Sequence, residues 1–188
     1  MHVTARTTLV VLVLALGGLM VPPASAEVDR IWDRRNDGSN GAGGGGPHKW
    51  GDIRKVRIGH ADRQVWVKAS PPVGGMAADE YFFWIDVAGT DRGPDFVAWL
   101  TFVTGPRVSL HRSDGFGDLG RRRCGLRRPR LDVDRQSVQF GIPRRCLRPA
   151  GVERPPRRVR LGVETWMEYE PADWAPRRRG LGPWVAAG

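Results

Sequence analysis

The sequence predicts an all-β protein, a single antiparallel β-sandwich of about eight strands with irregular N- and C-terminal extensions. Apolar and polar residues alternate at a period of two through much of residues 52–166, as in strands that bury one face. Clusters of Gly, Pro, Asn and Asp separate these runs, and helical periodicity is almost absent after residue 26. Short strands joined by turns favour two packed sheets.

The N-terminal segment, residues 1–26, has the three parts of a secretory signal peptide. Arg6 begins a short basic region, residues 9–20 form an apolar run, and a small-residue exit ends at Ala26. An uncleaved membrane anchor is the alternative, but about 12 apolar residues fall short of the ~20 that a membrane-spanning helix needs. We expect cleavage after Ala26 and a secreted, extracellular monomer without a transmembrane segment.

Residues 27–50 predict a flexible arm, and residues 51–188 predict the sandwich domain. The arm is rich in glycine, with four in a row at 43–46, and it has no apolar period. The domain begins with two alternating runs, 55–58 and 65–69, which a turn separates. These two runs predict a β-hairpin.

The central strands are expected where apolar residues occupy both faces. This holds for parts of residues 81–87 and 96–103. Further strands are predicted at 108–110, 131–133, 138–142 and 159–166. The tail from Asp173 is predicted to be a proline-rich extension rather than a strand. Its Trp174 and Trp184 are expected to cap one end or edge of the sandwich, because bare indoles are costly in water.

Two cysteines, Cys124 and Cys146, remain in a chain that is expected to enter an oxidising space. A structural disulfide is therefore predicted. Closing a loop of about 22 residues stabilises a fold by roughly 3 kcal/mol in the chain-entropy model. Two thiolates alone do not make a zinc site, and these two are too far apart in sequence for a C-x-x-C redox pair.

The positive charge is concentrated between residues 121 and 160. This segment holds 14 arginines and three acidic residues, which accounts for the whole excess of a chain with formal net charge +10. Such a cluster attracts anionic polymers. The alternative is a solvated face of a chain with GC-rich codon usage, since Arg outnumbers Lys 27 to 3. The candidate contacts are Arg121, Arg122, Arg123, Arg144 and Arg145.

Sequence-specific nucleic-acid binding is a poor fit to this basic segment. The segment contains one aromatic residue, Phe140, so the stacking platforms that single strands need are missing.

Four tryptophans alternate with the main aliphatic residues of their predicted strands, so their side chains are expected on the opposite face. They are Trp66, Trp84, Trp99 and Trp166. If their strands are neighbours, one sheet face carries a tryptophan row that could stack on sugar rings. The alternative is a second core layer covered by residues 27–50 and the tail, because exposed apolar patches of that size are rare unless functional.

The sequence gives little support for catalysis. Three histidines follow the signal segment, and no Gly-x-Ser-x-Gly turn or His-Glu-x-x-His motif is present. These histidines are His48, His60 and His111. Carboxylate pairs that could support glycoside hydrolysis are Glu164 with Glu168, and Asp86 with Asp95. Solvated surface acids are the simpler interpretation, so we expect no enzyme, no metal and no cofactor.

Several motifs resemble those of small secreted proteins of unknown function encoded in many actinobacterial genomes. They are Asp52-Ile53, Ile85-Asp86, Cys124, residues 142–147 (Ile-Pro-Arg-Arg-Cys-Leu), residues 173–176 (Asp-Trp-Ala-Pro) and residues 183–185 (Pro-Trp-Val). The resemblance implies a β-sandwich with one disulfide, and it implies no site.

Three functions are compatible with these patterns. The first is a non-catalytic binding or cell-envelope interaction module that contacts an anionic polymer through residues 121–160. The second is a carbohydrate-binding module that uses the tryptophans. The third is an unrecognised hydrolase.

Overall fold

The computed structural model describes residues 27–33, 52–70, 80–87, 93–117, 119–132, 137–149, 151–167 and 170–188. The predicted signal peptide and the glycine run at 43–46 lie outside these residues. The described residues confirm the predicted all-β fold, with two antiparallel sheets of five and seven strands. Twelve strands are described instead of about eight.

The strands are β1 Glu27–Trp32, β2 Lys55–His60, β3 Gln64–Ser70, β4 Glu80–Asp86, β5 Phe96–Thr101, β6 Arg107–Arg112, β7 Arg122–Gly125, β8 Arg130–Asp132, β9 Ser137–Pro143, β10 Arg158–Met167, β11 Glu170–Ala175 and β12 Val185–Ala186. A 3₁₀ turn, Arg144–Leu147, follows β9. The first sheet has the order β1-β2-β3-β9-β8. The second has the order β11-β10-β4-β5-β6-β7, with β12 also paired to β10.

The core lies between the sheets, where the alternating aliphatic residues meet. Val67 and Ile58 from the first sheet, and Phe83 and Leu100 from the second, are almost fully buried in one cluster. Strands β2 and β3 form the predicted hairpin, which the hydrogen bond from Ala61 N to Gln64 O closes at 3.0 Å. Strands β4 and β5 are central, as the apolar residues on both of their faces predicted.

Two segments that were expected to be irregular are strands. Residues 27–32 belong to β1, where Ile31 is the one buried side chain and pairing with β2 satisfies the backbone. The tail forms β11, which pairs with β10 although Pro171 lies within it. A proline is tolerated there because β11 is an edge strand. Neither segment shows alternating apolar residues, so the sequence pattern did not predict that they form paired strands.

The disulfide between Cys124 and Cys146 is present, with the Cα atoms 6.1 Å apart, as predicted. Cys124 lies in β7 at the edge of the seven-stranded sheet, and Cys146 lies in the 3₁₀ turn after β9 of the other sheet. The bond therefore links the two sheets. Across the described ranges, no helix has the length and apolar character needed to cross a membrane.

Candidate functional site: an aromatic cleft on the seven-stranded sheet

The outer face of the seven-stranded sheet carries a row of residues that lie directly opposite one another on neighbouring strands. Trp174 of β11 is paired with Glu164 of β10, which is paired with Phe82 of β4. Phe82 is in turn paired with Trp99 of β5, and Trp99 with Ser109 of β6. Five strands spaced about 4.8 Å apart make this row roughly 19 Å long.

Further aromatic rings join the row into one packed cluster, in which Phe82 and Trp84 are buried. Phe82 is stacked with Trp99 at 6.4 Å between ring centroids and contacts Trp166 edge-on at 5.5 Å. Phe116, from the loop after β6, packs edge-on against Trp84 at 5.6 Å and against Trp174 at 5.8 Å. Such offset and edge contacts are the favourable arrangements of aromatic pairs. The rings therefore hold one another in fixed orientations.

A cleft of about 1170 Å³ opens above one end of this surface. Its floor and walls are formed by the outer face of the sheet, the end of β1 and the start of the tail. The lining residues are Trp32, Asp33, Phe82, Trp84, Gly117, Leu119, Glu164, Trp166, Pro171, Ala172, Asp173, Trp174, Pro176, Arg177, Arg178 and Arg179. A concave site with aromatic walls and a few polar groups has the usual character of a ligand pocket.

Two buried carboxylates line the cleft, Glu164 and Asp173, with 4% and 6% of their surfaces exposed. Asp173 accepts a hydrogen bond from Ile53 N at 2.6 Å, whereas Glu164 lies among the aromatic rings. Its Oε2 accepts a hydrogen bond from Nε1 of Trp84 at 3.0 Å. Burial raises the pKa of Glu164, and this effect is opposed by the indole groups of Trp166 and Trp84 and by the charges of Arg179 and Arg178. The carboxylate is thus a fixed hydrogen-bond acceptor among aromatic rings.

The arginine rim of the cleft is held in place by the tail. After β11, residues 177–180 form a turn that is closed by a hydrogen bond of 2.8 Å from Gly180 N to Arg177 O. Gly182 N then donates to Leu161 O at 2.8 Å, which fixes the tail against β10. A Cβ atom on Gly162 would overlap Gly180 O, so the tail can lie this close only because residue 162 is glycine.

Three of the four predicted tryptophans lie on this face. Trp84 is buried, and Trp99 and Trp166 are half-buried. Trp66 is in the other sheet, where its ring covers Gly59, so the expected row does not include it. Phe116, from the loop after β6, and Leu181, from the tail, pack against this row and partly bury it. The expectation that residues 34–50 also cover the tryptophans concerns residues outside the described ranges.

The five predicted arginines do not share one environment. Arg121, Arg122, Arg123 and Arg145 are exposed. Arg144 is half-buried, and its guanidinium donates to Asp62 O at 2.9 Å and to Pro156 O at 2.7 Å. Arg144 therefore joins loops. Arg123 and Arg145 directly precede the bonded cysteines Cys124 and Cys146, and Arg122 is one residue further from Cys124.

Of the residues considered for hydrolysis, Asp86 and Asp95 lie close together, because Asp95 is hydrogen-bonded to the backbone of Ile85 and Val87, but each of the two makes structural contacts. His60 is buried, Asp86 pairs with Arg160, and Asp95 accepts a hydrogen bond from Val87 N at 3.0 Å. His48 and Glu168 lie outside the described residues. Among those that are described, no group of three His, Cys, Asp or Glu side chains could hold a metal ion.

One serine and one histidine do form a hydrogen-bonded pair. Ser109 Oγ and His111 Nε2 are 2.9 Å apart, and His111 Nδ1 lies 3.1 Å from Gly120 O. The carbonyl can only accept, so Nδ1 carries the proton and Nε2 accepts from the serine hydroxyl. This is the arrangement of a nucleophile and a base, and it lies on β6 where the pairing with β7 shifts register between Leu110 and His111. Neither residue lines the cleft.

The sequence did not single out Trp32 or the arginines at 177–179 as site residues. Trp32 is the most exposed tryptophan of the cleft lining, at 63%, and Lys55 Nζ lies 4.5 Å from its ring centroid. The three consecutive arginines were visible in the sequence, but their place beside Glu164 depends on the path of the tail over Gly162.

The fold and the cleft define a class of protein, a two-sheet antiparallel β-sandwich with an aromatic-lined cleft on its outer face. No protein-family model, curated protein or solved structure matches the chain. The resemblance to actinobacterial secreted proteins stays a prediction.

Proposed function

We propose that this chain is a secreted, non-catalytic module that binds carbohydrate in the aromatic cleft. The observation that carries the proposal is the buried Glu164 acceptor among Trp84, Trp166 and Trp174 in a cleft of about 1170 Å³. A pyranose ring has an apolar face that suits an indole and a rim of hydroxyl groups that suits a carboxylate acceptor. The cleft offers both within one site.

The rest of the aromatic row supports a chain-like ligand rather than a single sugar. Half-buried Trp99, which is stacked on buried Phe82, extends the aromatic row away from the cleft toward β6. A polysaccharide lying across the strands would contact the cleft at one end and Trp99 at the other. Binding energy would then be spread over several stacked rings instead of one deep contact.

Secretion is supported by two features of the sequence. Residues 1–26 have the signal-peptide pattern, and the disulfide between Cys124 and Cys146 suits an oxidising compartment. Carbohydrate polymers are abundant outside cells, so the proposed location and ligand agree.

The test is a binding assay with a panel of soluble oligosaccharides and insoluble polysaccharides, using the disulfide-bonded protein. Trp166→Ala should weaken binding at least tenfold, because it removes one wall of the cleft. Trp66→Ala is the matched control, since it removes a half-buried tryptophan from the opposite sheet. Equal losses in both variants, or no binding to any glycan, would overturn the proposal.

A second candidate function, binding of an anionic envelope polymer, is favoured by the disulfide. Exposed Arg122 and Arg123 precede Cys124, and exposed Arg145 precedes Cys146, and the Cα atoms of these cysteines are 6.1 Å apart. Retention on heparin at rising salt tests it, because screening weakens contacts between exposed charges. The double variant Arg122→Gln/Arg123→Gln should elute at lower salt than Arg30→Gln/Arg107→Gln, which removes equal charge from exposed positions on β1 and β6. Identical elution would count against this candidate.

A further inference from the structure

We propose that the cleft is selective for acidic sugars, with the anionic group of the sugar bound by the arginines of the turn at 177–180. This inference rests on the proposed function, since it names the class of carbohydrate that the cleft takes. The shared chemistry is a negatively charged substituent on a pyranose ring, either a carboxylate or a sulfate.

The position of the positive charge supports this selectivity. Arg177, Arg178 and Arg179 are consecutive and exposed, and all three line the cleft. A guanidinium presents a fork of donors that matches a carboxylate or sulfate. The rim therefore carries three such groups at an opening whose other charged residues are Asp33, Glu164 and Asp173. Asp173 is already engaged, because its Oδ2 accepts a hydrogen bond from Ile53 N at 2.6 Å.

The backbone of Arg179 is an independent indication that its side chain has a role. Arg179 has a φ of 51°, in the left-handed region, whereas every other described residue with a positive φ is glycine. A left-handed arginine is conformationally unfavourable, and glycine would occupy this turn position without penalty. Strain of this kind is concentrated at functional sites.

The turn is also pre-organised. Gly180 is buried between the turn and β10, with its carbonyl oxygen against Gly162, and Gly182 is bonded to Leu161 O. The arginines therefore project from a fixed backbone, which reduces the entropy lost when a ligand is bound.

Glu164 determines which way an acidic sugar would lie in the cleft. Its carboxylate would repel a second negative charge at the floor, but it would accept hydrogen bonds from hydroxyl groups. The anionic substituent would then point to the rim, toward Arg178 and Arg179, while the ring stacks on Trp166 or Trp174. The floor and the rim thus recognise different groups of one sugar.

The experiment compares three oligosaccharides of the same length by calorimetry. They are an oligogalacturonate, the same oligosaccharide with its carboxyl groups methyl-esterified, and a sulfated neutral galactan oligosaccharide. The wild-type protein should bind at least one acidic ligand at least tenfold more tightly than the esterified one, and the better of the two identifies the carboxylate or the sulfate as the preferred group.

Four variants separate the possible outcomes. Arg178→Gln and Arg179→Gly should each remove most of the acidic preference, whereas Trp166→Ala should weaken binding of every ligand. Arg122→Gln/Arg123→Gln should leave the preference intact. Equal binding of acidic and esterified ligands would overturn this inference and leave the proposed function standing. No binding of any of the three would also overturn the inference, whereas the proposed function is overturned only when no glycan of the wider panel binds. A preference that follows Arg122 and Arg123 would also overturn the inference.

Discussion

Trp84 donates its indole N–H to the carboxylate of Glu164 across the neighbouring strands β4 and β10, with 3.0 Å between Nε1 and Oε2. The bond fixes the ring of a buried tryptophan and the orientation of a buried acid together. Without a partner, either polar group would carry a large desolvation penalty. The pair therefore gives the cleft a rigid floor.

Glu164→Gln should stabilise the fold at neutral pH. Burial raises the pKa of Glu164 from 4.5, so the folded protein holds the proton more tightly than the unfolded chain does. The stability that this group contributes is therefore complete below pH 4.5, and it is lost as the pH rises through the pKa of the folded state. Thermal melts at pH 4 and pH 8 test this. The gain in melting temperature over wild type should be larger at pH 8, and a gain that is equal at both pH values would contradict it.

The protein should lose stability as pH falls below about 6.5, through His60. This side chain is fully buried, with Nδ1 3.3 Å from Val185 O, and its pKa is lowered from 6.5 mainly by burial. The carbonyl of Val185 and the charge of Glu27 oppose the shift, whereas Arg144 adds to it. The unfolded chain then binds the proton more tightly, so stability is complete above 6.5 and falls at acidic pH.

Urea denaturation at pH 7.5 and pH 5.5 measures the effect of His60. The variant His60→Gln should show a smaller drop in unfolding free energy between these pH values than wild type. The same pH dependence in both proteins would assign it to other groups.

Gly162→Ala should lower the free energy of unfolding by about 1–3 kcal/mol, the range for substitutions that force overpacking. Its Cβ would overlap Gly180 O, so the tail must move away from β10 and the arginine rim with it. Gly125→Ala is the matched control, because its Cβ would meet only Arg122 Nη2, at 3.8 Å. Denaturation and glycan binding should both respond to the first change and not to the second.

Replacing both cysteines, Cys124→Ala/Cys146→Ala, should destabilise the protein by roughly 3 kcal/mol, as the chain-entropy model gives for a loop of this length. Heparin retention should fall as well if the disulfide is what keeps Arg122 and Arg123 near Arg145. Denaturation of the oxidised wild type and the double variant measures the first effect. Unchanged retention in the folded double variant would show that the arginines do not depend on the bond.

Alternation of apolar residues was enough to predict the sandwich, the hairpin of β2 and β3 and the central position of β4 and β5. Burial on one face leaves a period of two, and burial on both faces leaves a continuous apolar run. It could not reveal β1 or β11, because Ile31 is the one buried residue of β1 and β11 contains Pro171. Edge strands depend on backbone pairing more than on buried side chains.

The site was predictable only in part for a related reason. The alternation along each strand predicted that Trp84, Trp99 and Trp166 point away from the aliphatic core. The same alternation holds for Trp66, and it does not reveal which of the two sheets a strand joins, so the sequence could not separate Trp66 from the other three. Glu164 was visible as an acid in an apolar strand. Its meeting with Arg178 and Arg179 requires the tail to fold back over Gly162, which is a tertiary contact without a local pattern.

Arg179→Gly should make the protein more stable and a poorer binder of acidic sugars. The left-handed backbone costs an arginine roughly 1–2 kcal/mol, and the greater chain entropy of unfolded glycine offsets about 0.5–1 kcal/mol of the relief. A net gain of up to about 1.5 kcal/mol should appear in urea denaturation. Arg178→Gln, at the preceding position without a positive φ, should leave stability nearly unchanged. A loss of stability in Arg179→Gly would mean that the side chain is held there by structural contacts, and unaltered binding of acidic ligands would mean that the strain at residue 179 serves no recognition.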